Sequence, residues 1–279
     1  MKKLSILAFA FLLTAGVAFA QSNEATTTQD GNNLEATIQQ VGGNSNLATQ
    51  EQYGLNNILF IEQSGSGNIA EQLQGSRETG AYDPDNQASI YQSGNWNLAE
   101  QTQASSSQRS YAEIVQSGNS NEARQEQFNQ GVQALIDQSG DQNWARQVQS
   151  NNAFVAEINQ SGSVNRAYQN QTGQRNIAEI DQSGDNNSAT QNQFGSQSHP
   201  LNGYMGMFQS GNGNEGRQLQ EDAETGSSAF LLQEGDWNYA VQKQFGPGSN
   251  DASITQLSNG NSAMQHQTGS GNVATIVQD

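Results

Sequence analysis

The sequence predicts an all-β protein, a β-solenoid of about ten strand–turn–strand units. Three observations predict it. One motif recurs in phase along almost the whole chain, each copy alternates with a period of two residues, and large apolar side chains are too scarce for a globular core.

Hydrophobic residues make up 33% of the chain and charged residues 13%, while Gln, Asn, Ser and Gly dominate. Both shares are low for a globular domain. Such a chain is either disordered or held together by something other than apolar burial. The net charge is −17. Removing Lys2 and Lys3 with the leader described next leaves 10 − 2 = 8 basic against 27 acidic side chains, or −19. That balance repels phosphate backbones and anionic membrane surfaces, so no nucleic-acid partner and no membrane insertion are expected. With no cysteine, the chain has neither a disulfide framework nor a thiolate metal site.

The first 20 residues read as a secretory signal peptide. Lys2 and Lys3 precede the apolar run Leu4 to Leu13, and Ala18-Phe19-Ala20 is a small-x-small ending with cleavage expected before Gln21. The apolar run is too short to span a bilayer. The mature protein is therefore expected to be secreted.

Residues 32–279 carry the repeat. From Gln63 the chain reads Gln63-x-Gly65-x-x-Asn68-x-Ala70-x-Gln72-x-Gln74. The spacing returns with Gln92, Asn97 and Gln103, then with Gln116, Asn121 and Gln127, and with Gln138, Asn143 and Gln149. It continues through Gln160, Asn165 and Gln171, then Gln182, Asn187 and Gln193, and begins again at Gln209, Gln233 and Gln256. A tenth copy starts at Gln40 with one extra residue before Asn46. Ser258 stands where Gly is expected and Gly216 where Ala is expected. Upstream of each origin lies Ala-x-Ile-x-Gln, as in Ala134-x-Ile136-x-Gln138, with Met205 and Met207 or Leu231 as substitutes. Each unit is thus expected to be strand, tight turn, strand, turn, with Gly65 and Gly94 at the first reversal.

Origins lie 22 to 29 residues apart, and the surplus falls between units. Pro84, Pro200 and Pro247 all lie in these junctions, where no ladder hydrogen bond is needed. A disordered polymer would not confine its prolines to one phase.

Two short strands cannot fold alone, so each unit must stack on its neighbours, about 4.8 Å apart. Repeated positions then face inward as columns of identical side chains. Ile and Ala fill a narrow interior, and each Asn or Gln amide bonds the copy above and below. These columns are the candidate structural site. Between them the outward positions vary and carry charge, including Glu113, Asp137, Glu157, Glu179 and Asp181, with Glu157 and Glu179 in one phase of successive units. No catalytic, cofactor-binding or metal-binding residues are expected. Catalysis needs a convergent cluster that breaks the repeat, whereas the two histidines, His199 and His266, stand apart. An ice- or mineral-binding solenoid would need one uniform outward column, and none is seen.

Gln-x-Gly-x-x-Asn-x-Ala-x-Gln-x-Gln in tandem resembles the curlin repeat of bacterial curli subunits. The resemblance implies an extracellular functional amyloid of biofilm matrix and adhesive surface fibres. It also implies export through a dedicated outer-membrane channel, growth promoted by a nucleating paralogue, and a left-handed solenoid. The alternatives are a monomeric secreted adhesin or a minor nucleator subunit.

The ends complete the picture. Residues 21–31 read as a leader or half-repeat, in which Asn23-x-Ala25-x-Thr27-x-Gln29 matches a second half-unit. At the C-terminus, Ala274-x-Ile276-x-Gln278 is a first half-unit. Together they make one turn, so head-to-tail self-association into a homopolymer is expected.

Overall fold

In a computed structural model, which describes residues 22–75, 85–104, 109–128, 131–150, 155–173, 176–194, 203–221, 226–246 and 248–279, every regular element is a strand. The signal peptide, Pro84, Pro200, Pro247 and His199 lie outside the described residues.

Twenty-two strands alternate between two parallel, eleven-stranded sheets. The first sheet stacks β1 (Glu24–Asn32), β3 (Leu47–Leu55), β5 (Ile69–Gln74), β7 (Leu98–Gln103), β9 (Glu122–Phe128), β11 (Trp144–Ser150), β13 (Arg166–Thr172), β15 (Ser188–Phe194), β17 (Glu215–Glu221), β19 (Tyr239–Phe245) and β21 (Ser262–Thr268). The second stacks β2 (Glu35–Val41), β4 (Ile58–Ser66), β6 (Gln87–Asn95), β8 (Tyr111–Asn119), β10 (Gln133–Asp141), β12 (Val155–Ser163), β14 (Ile177–Ser183), β16 (Tyr204–Ser210), β18 (Ser228–Glu234), β20 (Asp251–Gln256) and β22 (Val273–Gln278). The chain crosses from one sheet to the other at every turn, which makes a β-solenoid.

Register follows the motif. Ile136 pairs with Ile114 and Ile158, and Gln138 with Gln116 and Gln160. A slip of one residue would turn every repeated side chain outward, so the pattern of burial holds the register. Between the sheets runs one apolar seam, in which Ile61, Ile90, Ile114, Ile136, Ile158 and Ile180 lie against Ala48, Ala70, Ala99, Ala123, Ala145 and Ala167. All twelve are fully buried. One large side chain against one small one is what a two-layer interior this thin admits.

The glycines refine the expected turn. Gly65 and Gly94 are still inside β4 and β6, and the reversal comes just after them. At the equivalent Gly140, φ is 96° and an added Cβ would sit 2.2 Å from the carbonyl oxygen of Gly162 in the next turn. Glycine is required there twice over, for the backbone and for the close approach. The left-handed turn residue two places on need not be glycine: Trp96, Ser120, Gln142, Val164 and Trp237 all adopt φ between 57° and 61°.

Candidate assembly site

The interior glutamines form three directional columns. In the first, Gln63 Nε2 donates to Gln92 Oε1 at 2.9 Å, and the chain of bonds continues through Gln116, Gln138, Gln160 and Gln182 at 2.8–2.9 Å. In another, Gln74, Gln103, Gln127, Gln149, Gln171 and Gln193 are joined in the same way at 2.6–3.2 Å. A third column runs beside it through Gln72, Gln101, Gln125, Gln147 and Gln169. In most layers the second hydrogen of the amide reaches a carbonyl of the opposite sheet, as from Gln138 to Glu122 at 3.1 Å and from Gln149 to Gln133 at 3.0 Å. A polar interior is stable because the amides within these columns satisfy one another; a buried amide left unpaired would cost about 1–3 kcal/mol.

Asparagine works differently from the expected amide-to-amide ladder. The Asn143 backbone N–H donates to Asn121 Oδ1 at 2.9 Å, while Asn143 Nδ2 donates to the carbonyls of Ser139 and Gly162 at 3.0 and 2.9 Å. Asn68, Asn97, Asn121, Asn165 and Asn187 repeat this clasp, which ties each turn to its own strand and to its neighbours. Ala70 is fully buried, and Gly65 packs against the Gly94 backbone.

One further column lies outside the Gln-x-Gly-x-x-Asn-x-Ala-x-Gln-x-Gln motif. At the second turn, buried Asn57, Asn86, Asn176 and Asn250 form a partial asparagine column. Asn57 Nδ2 donates to the Tyr53 carbonyl at 2.8 Å, and the Asn86 N–H to Asn57 Oδ1 at 3.0 Å. The signal is visible in Asn176-x-Ala178-x-Ile180-x-Gln182, which has the spacing of Asn-x-Ala-x-Gln-x-Gln. Each unit is therefore two versions of one half-unit.

At the ends the columns stop. β1 and β2 each have one hydrogen-bonded neighbour, as do β21 and β22. At the head, Ala25 and Gln29 are exposed and Asn23 is half-buried. Gln29 donates to Gln52 at 2.8 Å, and Asn23 Oδ1 accepts from the Asn46 N–H at 3.0 Å. At the tail, Ala274, Ile276 and Gln278 are half-buried, and Gln278 Oε1 accepts from Gln256 at 2.8 Å.

The outer faces differ in charge. The strands of the second sheet carry no Lys or Arg, and Glu113, Asp137, Glu157, Glu179 and Asp181 crowd the middle of that face. Glu157 and Glu179 are direct neighbours. Partial burial, then the charges of Glu113 and Glu157, raise the Asp137 carboxyl pKa; burial and Glu157 raise that of Asp181. Tyr204 is pushed up to about 12 by burial and by Glu179. Arg124, Arg146 and Arg217 belong to the first sheet, in partly exposed pairs such as Arg146–Glu126 at 2.8 Å. Such pairs contribute little to stability. His266 is exposed on β21 beside Phe245, with ring centroids 5.3 Å apart. Among the described residues no group of three or more His, Asp or Glu is placed to hold a metal ion.

The family profile described as Curlin associated repeat matches residues 20–54, the segment of β1, β2 and most of β3. No curated protein matches the chain.

Proposed function

From a chain of the curlin-repeat family, we propose a structural subunit of extracellular, curli-like amyloid fibres that serve adhesion and biofilm matrix. The observation that carries this reading is the pair of open ends. Each sheet finishes on strand edges whose side chains keep the interior phase, and an uncovered edge is a template for another strand. Apart from strand addition, the described residues hold nothing that would cover those edges.

Self-association is head to tail. Among the described strands the first, β1, lies in the first sheet and the last, β22, in the second, so a following subunit continues the alternation without a gap. Secretion rests on the leader at residues 1–20, and export through an outer-membrane channel and start-up by a nucleating paralogue rest on the family. The role is structural rather than enzymatic.

The test uses residues 21–279, diluted from denaturant and followed by thioflavin fluorescence. Sigmoidal growth that preformed fibres accelerate supports the fibre subunit. A stable, β-rich, soluble monomer that never seeds contradicts it and favours a monomeric adhesin.

A further inference from the structure

We infer that the seam between successive subunits continues two of the three glutamine columns and breaks the third at Thr27. The inference rests on the head-to-tail reading above and adds its register, its polarity and its weak point.

Register comes from the in-phase pairing inside the solenoid. Thr27 pairs with Gln50 and Gln29 with Gln52 on β3, while Gln265 and Gln267 pair with Gln242 and Gln244 on β19. Continuing that stacking across the seam sets Gln267 opposite Gln29, Gln278 opposite Gln40, and Gln265 opposite Thr27.

Polarity comes from the direction of the amides. Along every column Nε2 donates toward the C-terminal neighbour. At the tail, Gln267 and Gln278 each spend one N–H on a carbonyl across the interior, Asp251 at 2.8 Å and Ser262 at 3.1 Å. Their second N–H points out of the end. At the head, Gln29 and Gln40 donate inward to Gln52 and Gln63 at 2.8 and 2.9 Å, which leaves their Oε1 atoms to accept. Tail meets head as donor meets acceptor. Two heads would oppose acceptors and two tails would oppose donors, so the contact is heterologous and open-ended.

The third column has no such match. Gln50 Oε1 and Gln265 Nε2 are buried and lack any hydrogen-bond partner. They are the two ends of one column. Thr27 sits where the next glutamine belongs, yet its hydroxyl, on a short branched stem, makes no bond to Gln50. Joining a second copy puts the same threonine against Gln265. Every seam therefore keeps two unpaired amide atoms, which no interior glutamine layer has among the described residues, and the fibre breaks there first.

The variant Thr27→Gln supplies an acceptor for Gln265 and a donor for Gln50. In the full mature chain it is expected to lower the critical concentration for assembly about fivefold, the effect of one recovered hydrogen bond, and to slow fragmentation by sonication. A second variant reads the register independently. The chain has no cysteine, and Thr26 and Met264 occupy one outward column, so oxidised fibres of Thr26→Cys/Met264→Cys are expected to give a ladder of covalent multimers. Multimers together with an unchanged critical concentration for Thr27→Gln overturn the broken column and leave head-to-tail joining intact. Fibres that form without multimers overturn the register and the head-to-tail reading together.

Discussion

The central turns, from β8 to β14, and the terminal turns, β1–β2 and β21–β22, use the same half-unit and differ in what is left over. In the centre, Ile136 is fully buried, and Gln138 accepts one amide bond and donates two. At the ends, Ile38 and Ile276 are only partly buried against the seam, Ala25 is exposed, and two buried amide atoms have no partner. A half-unit cannot satisfy itself; its neighbour does so. Stability is collective along the axis, and the ends resemble an interior layer with one neighbour removed.

The sharpest break in that comparison is at glycine. Gly140→Val places a branched side chain at φ 96° with its Cβ against the Gly162 carbonyl. It should cost about 4 kcal/mol or more in denaturant unfolding. At Gly269, φ is 100° but the nearest atom to an added Cβ is 3.8 Å away. Gly269→Val should cost only the backbone strain, about 1–3 kcal/mol. Equal losses at the two sites would mean that stacking of the turns is not what makes glycine necessary.

Glutamine gives the next effect. Gln147→Leu strands one N–H of the Gln125 amide and Gln169 Oε1 in the interior, and about 3 kcal/mol of monomer stability should be lost. Gln29→Leu at the exposed head leaves a single acceptor, Gln52 Oε1, without its donor, so it should cost the monomer only about 1 kcal/mol and yet slow fibre elongation. A full-sized loss at Gln29 would contradict the open-end account.

The smallest effect is electrostatic and belongs to the centre. The Asp137 and Asp181 carboxyls are raised above the ordinary value of about 3.9, chiefly by burial and then by neighbouring carboxylates. Between the ordinary and the raised value the folded state binds more protons, so stability falls as pH rises through that window and the full penalty applies above it. Acidification from neutral pH is thus expected to stabilise these turns through both groups. Asp137→Asn with Asp181→Asn should flatten that part of the pH profile and raise stability at neutral pH, measured by urea unfolding across pH. An unaltered slope would assign the effect to other acids.

Most of this architecture was legible because period two and exact phase leave one way to stack Gln63, Gln92 and Gln116. The second-turn asparagines were harder to see. Ser110, Val132, Gly203 and Ser227 interrupt their column, and a buried turn tolerates those small or apolar residues where the first turn keeps Asn throughout. The left-handed backbone at Trp96 and Val164 could not be read, since neither residue favours positive φ and the layers on either side impose it. Nor could the direction of the amide columns. Gln reads the same whichever way its amide points, and only the pairing across layers sets donor against acceptor. The unpaired ends of the column at Thr27 emerge from that direction alone.

The most direct measurement is a helical reconstruction of fibres grown from residues 21–279 by electron cryomicroscopy. Eleven strands per sheet at about 4.8 Å predict one subunit every ~53 Å, with the strand spacing running unbroken through the seam. Subunits joined through their outer faces, or a strand ladder interrupted between subunits, would contradict assembly by end-to-end stacking.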